Sequence, residues 1–359
     1  MVSWFQRYLL PGFVFQSMII AGGYGTGREL VEFFLQYGPV GGLLGMLLPA
    51  MILMGVFCAI AFELARITRS YDYRNFLKQL LGRFWFLYEI AYLIAIILIL
   101  AVVGAAAGAL LAETFGFSGN LGTIGLLLLI AFLVFKGTEV IEGFLSIWSF
   151  VLYGVYLTVF VLSLVYFGPA IKNSLTSVPA VDGWFSSGFR YGALQLALVP
   201  AMLFATAHIT ERREALIAGA LAGPIAILPG ILFFLAMLAQ YPAVVEQAVP
   251  ANYILGMLGS PALQITFQIV LIGTFVETGA GVIHAFNERI ATTFSALNKT
   301  MPNFVRPLIA AALLILALIL SRFGIIDLIA TGYSALSWAF IFILVIPLLT
   351  IGLWKVTRS

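Results

Sequence analysis

The sequence predicts an all-α integral membrane protein of about ten transmembrane helices. Three observations carry that prediction: a poverty of charge, a recurrence of long apolar stretches, and the places where the few cations fall. Of 359 residues, 62% are hydrophobic and 9% charged, where a soluble domain carries roughly 25% charged residues. Apolar stretches of about 20 residues recur along the whole chain, each long enough to cross a hydrocarbon core of roughly 30 Å as a helix. They run without the alternation of a barrel strand, so each span satisfies its own backbone as a helix. The first stretch passes into glycines and charged residues with no small-residue cleavage region, so it is expected to stay as a span and not to be removed as a signal peptide.

The spans read, in order, as 8–36, 39–66, 85–113, 120–136, 142–168, 187–208, 213–239, 262–294, 303–321 and 324–354, with Gly332 and Ser334 interrupting the last. The whole chain, 1–359, is then a single transmembrane domain. If the N-terminus is cytoplasmic, 14 of the 18 Lys and Arg residues lie inside, and only Arg28, Lys172, Arg190 and Arg322 fall on the outer half. That asymmetry fits the positive-inside rule and places both termini in the cytoplasm; the membrane is expected to be the cell's inner (plasma) membrane. A polar loop, 169–186, divides the ten spans into halves of five, 8–168 and 187–355. Five is odd, so the second half enters the membrane from the opposite side, the topology of an inverted repeat.

Span 1 carries Gly22, Gly23, Tyr24, Gly25, Thr26 and Gly27, four glycines in six residues near its middle. Each glycine disfavours regular helix by roughly 1 kcal/mol. Freed backbone groups at that depth are tolerable only beside protein, water or ligand, so a polar cavity is expected there, with close packing through small residues as the structural alternative. A half-helix starting near Gly27 aims its positive end at the break, which suits a carboxylate, and the carbonyls of the preceding half suit a cation. These six residues are the first candidates for substrate binding. In span 6, Gln195 and Pro200 are the second. Pro200 removes a helix hydrogen bond, which reads either as a matching break or as a kink.

The segment from Ile20 through the glycines to Arg28, Glu29, Glu32 and Phe34 resembles the first span of the YkvI-type bacterial membrane proteins. The likeness continues through Phe62-Glu63-Leu-Ala-Arg66, Tyr71-Asp-Tyr-Arg74 and Thr274-Phe-Val-Glu-Thr-Gly-Ala-Gly281. That family is similar in turn to the amino acid, polyamine and organocation transporter superfamily, whose LeuT-type fold has ten core helices in two inverted halves with helices 1 and 6 broken. The resemblance implies a substrate site at the breaks of spans 1 and 6, with Gly23 and Gly25 at the positions that receive a carboxylate. It also implies, in sodium-coupled members, a sodium site between spans 1 and 8. Tyr24 and the Arg28-Glu29 pair depart from the commoner pattern.

Span 8 bears a polar stripe, Thr274, Glu277, Thr278, Gly281, His284 and Glu288, at intervals of three and four, hence on one helical face. Glu277 lies about 15 residues, or roughly 22 Å by helical rise, from the outer end. A charge near the bilayer centre costs at least about 2.5 to 3.5 kcal/mol, so Glu277 should face the bundle interior. Four roles are open to it: sodium coordination with Thr274, Thr278 and Ala21, proton transfer, a structural pair with Arg28, or a hydrogen bond to the broken backbone. Arg28 and Glu29 are candidates for an outer vestibule or for ion pairing with neighbours such as Glu32, and Arg28 alternatively for binding an anionic substrate. Glu63 and Arg66 read as an interfacial salt bridge.

Secondary active transport of a small amino-acid-like solute by alternating access follows as the expected function, with Na+ or H+ as coupling ion and no other cofactor. An ion channel and a non-transporting receptor or scaffold are the alternatives. An enzyme is not expected, because zinc-pair, nucleophile-elbow and phosphate-loop motifs are missing from the sequence. Cys58 is the single cysteine, which excludes an intramolecular disulfide and a cysteine-based metal cluster. The net charge of +3 comes with no contiguous basic patch, so nucleic acid is not an expected partner. The expected partners are the bilayer and a small molecule, and the oligomeric state is not legible.

Overall fold

The computed structural model describes residues 3–20, 22–136, 138–296, 300–302 and 304–358, less the side chains of 22, 23, 136, 138–153, 292, 293, 295 and 296. Every regular element among them is helical. Seven stretches are long and apolar enough to cross a membrane, and Leu10–Ile19, Gly119–Phe135 and Val305–Ser321 are shorter apolar helices. One long stretch, Arg28–Thr68, holds the outer half of span 1 and all of span 2. The exterior is greasy: Val165 is 70% and Phe342 65% exposed, as lipid-facing side chains are.

Span 1 is in pieces. The helix Leu10–Ile19 stops where Ile20 leaves helical geometry at ψ 77°. A single turn, Gly22–Gly25, follows, and the outer helix Arg28–Phe33 begins after Gly27 at φ +81°, a left-handed conformation that favours glycine. Span 6 is also broken, into Trp184–Leu196, one turn Val199–Met202 and a 3-10 turn Leu203–Thr206. Pro200 sits in the first turn of the middle piece, where its missing N–H costs little. Span 10 is not broken at Gly332 and Ser334. It widens through π-helical turns at Leu328–Tyr333, Ile341–Val345 and Leu348–Gly352.

Two connections differ from the sequence reading. Span 5 does not end at 168 but runs as one helix, Thr138–Ser177. Its polar extension buries Ile171 and Ser174 at helical spacing, and the Ser174 hydroxyl donates to the Leu238 carbonyl at 3.1 Å. The loop between spans 2 and 3 contains an amphipathic helix, Tyr73–Leu81, capped by Asp72 and burying Phe76, Leu77 and Leu80.

Spans 2 and 7 cross at backbone contact. A Cβ on Gly219 would lie 2.3 Å from the Ala59 nitrogen and Cα, and one on Gly223 would lie 2.4 Å from the Met51 carbonyl oxygen. Lipid supplies no hydrophobic drive between helices, so this close packing of small residues is what joins them. Pro229 of span 7 leaves the Ile225 carbonyl without its intrahelical donor, and the Gln16 side-chain amide of span 1 donates to it. Four ion pairs gather on the side where the N-terminus lies: Arg7 to Glu214 at 2.7 Å, Arg66 to Glu63 at 2.7 Å, Arg289 to Glu89 at 3.4 Å and Arg306 to Glu288 at 2.8 Å. The second is the salt bridge expected from sequence.

Candidate functional site

Breaking a helix at bilayer depth strands carbonyls, and each break here finds a tyrosine. The Tyr156 hydroxyl of span 5 donates to the Gly25 carbonyl at 2.9 Å, and the Tyr88 hydroxyl of span 3 donates to the Ala197 carbonyl at 2.7 Å. Both tyrosines are buried. Replacing Tyr88 with Phe leaves the Ala197 carbonyl without that donor, and thermal unfolding of the purified protein is expected to show a loss of about 1 to 3 kcal/mol.

The outer half of span 1 is fixed against span 6 along residues spaced by four. Ser187 donates to the Phe33 carbonyl at 2.7 Å. The Tyr191 ring packs against Phe33 and Phe34, with centroids 5.5 and 4.8 Å away. Gln195 donates to the Glu29 carboxylate at 3.2 Å. Helical spacing puts these three on one face, so they hold Glu29 beside the break of span 6.

Between the two breaks lies a cavity of about 600 Å³. Span 1 contributes Ser17 to Ile20 and Glu29, and span 6 contributes Leu194, Gln195, Ala197 and Leu198. Tyr92 and Ile96 come from span 3, Glu277, Thr278 and Gly281 from span 8, and Tyr333 and Phe340 from span 10. Glu29 and Gln195 at its inner end are buried, whereas Ser17 and Ala285, toward the N-terminal side, are exposed. The cavity therefore opens toward that side. Tyr333 closes a π-helical turn, an irregularity frequent at functional sites.

Of the residues singled out from sequence, Gln195, Glu277, Thr278 and Glu29 meet in this cavity. Glu29 stands in the cavity wall and not in an outer vestibule, because the break shortens span 1 and brings it level with Gln195. Tyr24 is buried close to Gly230 of span 7. Thr26 is buried and accepts from the Arg28 N–H at 3.1 Å. Gly25, Thr26, Gly27 and Pro200 are not among the lining residues. Gly22 and Gly23 form the helical turn after the break, and Ala21 lies outside the described residues. Thr274 is buried and donates to the Val270 carbonyl at 2.9 Å. Sequence reasoning missed Tyr88, Tyr156, Tyr92 and Tyr333. Their signal is a phenol in an otherwise apolar span, which needs a hydrogen-bond partner when buried.

The side opposite the N-terminus is sealed. Arg28 does not pair with Glu277. It donates to the Val245 and Gln247 carbonyls at 2.7 and 3.1 Å and pairs with Glu32 at 3.1 Å. The Ala251 N–H donates to the Thr26 carbonyl at 3.0 Å, so the connection between spans 7 and 8 is tied to span 1 at two points. Arg28→Met removes the charged donors, and amide exchange across residues 245–252 is expected to rise about tenfold or more by mass spectrometry.

On the N-terminal side, Arg289 lies 4.0 Å from the ring centroids of both Tyr73 and Tyr92. Burial, with Glu89 nearby, pushes the Tyr73 hydroxyl up to about 12, so its ring stays a neutral partner for the guanidinium at physiological pH.

No family model matches the chain. It is 25% identical over 332 residues, 89% of each chain, to the uncharacterized membrane protein YkvI of Bacillus subtilis. Its fold is similar to that of MhsT in complex with L-phenylalanine, with a TM-score of 0.57, 17% identity and coverage of 92% of this chain and 87% of MhsT. An Eremococcus coleocola manganese transporter aligns with a TM-score of 0.51 at 18% identity over 97% of this chain and 78% of its own. A Na+-coupled sialic acid symporter aligns with a TM-score of 0.50 at 15% identity over 94% and 83% of the two chains. The chain is a membrane protein with the LeuT-type fold.

Proposed function

We propose that this membrane protein of LeuT-type fold is a secondary active transporter that moves a small amino-acid-like solute by alternating access. The observation that carries the reading is the cavity between the two helix breaks, open toward the N-terminal side and sealed on the other. Such a cavity exposes its contents to one side at a time, which a continuous pore does not. The two halves, 8–168 and 187–355, are read as the inverted repeats that move against each other. Glu277, with Thr278 beside it in the cavity and Thr274 one turn away, is read as the coupling group, for a proton or for sodium. The membrane is read as the inner (plasma) membrane, with both termini in the cytoplasm.

The LeuT-type fold supports a transporter over an enzyme or a scaffold, and the MhsT complex and the sialic acid symporter support a small-molecule cargo with an ion. The test is flux in proteoliposomes. A transporter exchanges labelled for unlabelled solute saturably, and uptake rises with an imposed sodium or pH gradient. Conductance that grows linearly with concentration would identify a channel instead, and binding without exchange would identify a receptor.

A further inference from the structure

We infer that the chain carries a second binding site, on the side opposite the N-terminus, for a phospholipid whose headgroup bears both a phosphate and a primary ammonium, the first held by Arg322 and the second by Asp327. The site lies apart from the cavity between the helix breaks and does not depend on what that cavity transports.

The site is built where several spans end. A cavity of about 600 Å³ lies among the outer ends of spans 3 and 4, the turn between spans 9 and 10, and Ala248 of the connection between spans 7 and 8. Among the described residues it shares no lining side chain with the cavity between the breaks. Its inner wall is backbone: a Cβ on Gly108 would lie 2.6 Å from the Gly119 carbonyl oxygen and from the Thr123 hydroxyl. On the other wall, Gly324 at φ +80° takes a left-handed conformation that favours glycine. It turns the chain from span 9 into span 10, and Asp327 then lines the cavity that Arg322 also lines.

The wall offers one charge of each sign. Its Thr123 and Ser321 hydroxyls are engaged, donating to the Gly104 and Leu318 carbonyls at 2.9 and 2.8 Å. Arg322 and Asp327 are exposed, and neither is in an ion pair among the described residues although both line the same cavity. A guanidinium forks onto phosphate oxygens, and a carboxylate accepts from an ammonium that carries N–H donors. Two opposite charges held apart suit a ligand that bears both. An anionic headgroup with no amine would face Asp327 unmatched, and a quaternary ammonium has no N–H to give it. Phosphoethanolamine is the headgroup chemistry that satisfies both residues.

The surroundings make the ligand a lipid. Spans 4 and 9 pack against each other, and both carry exposed apolar side chains leading away from the cavity. Ile315 and Ile319 are 58% and 53% exposed and precede Arg322 by seven and three residues, hence on its helical face. Leu121, Ile124 and Leu128 in span 4 are likewise exposed and share a face at intervals of three and four. Acyl chains leaving the cavity meet these faces, whereas a free zwitterion gains nothing from them. Phe323, 65% exposed, stands in the cavity wall itself, an aromatic ring at the level of the headgroups.

The test is native mass spectrometry of the full-length protein offered equal amounts of phosphatidylethanolamine, phosphatidylcholine and phosphatidylglycerol with the same acyl chains. Phosphatidylethanolamine is expected to bind about tenfold or more tighter than either of the others. Asp327→Asn should bring it down to the level of phosphatidylcholine, and Arg322→Gln should weaken both about tenfold or more. Both side chains are exposed, so the variants should elute as the parent does in size exclusion, which separates a lost contact from a lost fold. Glycerophosphoethanolamine, the headgroup without its chains, is the remaining probe and is expected to bind far more weakly than the lipid. Phosphatidylglycerol or phosphatidylcholine bound as tightly as phosphatidylethanolamine, or a preference for phosphatidylethanolamine that survives Asp327→Asn, would overturn the inference. Glycerophosphoethanolamine bound as tightly as the lipid would overturn it too, in favour of a soluble zwitterion.

Discussion

Gly219→Val is expected to deprive the protein of its folded state in detergent, seen as loss of the monodisperse peak in fluorescence-detected size exclusion. The glycine faces backbone, not a flexible side chain: its Cβ would sit 2.3 Å from the Ala59 nitrogen and Cα and 2.6 Å from the Cys58 carbonyl carbon. No rotamer relieves that overlap, so spans 2 and 7 must separate along their whole crossing. Overpacking a core costs about 1 to 3 kcal/mol when side chains can adjust, and here they cannot, so the loss should exceed about 3 kcal/mol. Gly125→Ala in span 4 is the control. Nothing lies within 4 Å of its Cβ position, and exchanging glycine for alanine in a helix should stabilise by about 0.5 to 1 kcal/mol.

Glu277→Gln is expected to abolish gradient-driven uptake while leaving equilibrium exchange of the solute in place. The carboxylate stands in the cavity wall and has no ion-pair partner among the described residues. Glutamine keeps its shape but neither releases a proton nor presents a charge to sodium. A charge at this depth is worth at least about 2.5 to 3.5 kcal/mol, or roughly a hundredfold in ion affinity. Uptake driven by imposed sodium and pH gradients, compared with exchange in their absence, checks this. If gradient-driven uptake survives in Glu277→Gln, the coupling group is elsewhere.

The all-helical membrane fold, the break in span 1 and the carboxylate in span 8 were legible because each rests on local signals: continuous apolar runs, clustered glycines, a charge where charge is expensive. The outer helix begins beside Gly27 as the glycine pattern predicts. What a local signal does not carry is register across the break. Counting residues outward along an ideal helix places Glu29 near the surface, but a chain that unwinds and turns there advances less, and Glu29 arrives beside Gln195. Likewise Tyr88 and Tyr156 answer carbonyls that exist as free acceptors only after spans 6 and 1 have broken. The overrun of span 5 past Pro169 was hidden because Lys172, Asn173, Thr176 and Ser177 read as loop, whereas Ile171 and Ser174 supply a buried edge.

The seal around Arg28 has a kinetic consequence. A solute arriving from the N-terminal side reaches the cavity through an opening already present, so its association is limited by diffusion and desolvation. One arriving from the opposite side must wait until Arg28 releases Val245 and Gln247 and the Thr26 to Ala251 tie parts. Residence in the closed form then sets a clock for entry from that face, and a competitive ligand confined to it would act with a delay that no increase in its concentration shortens.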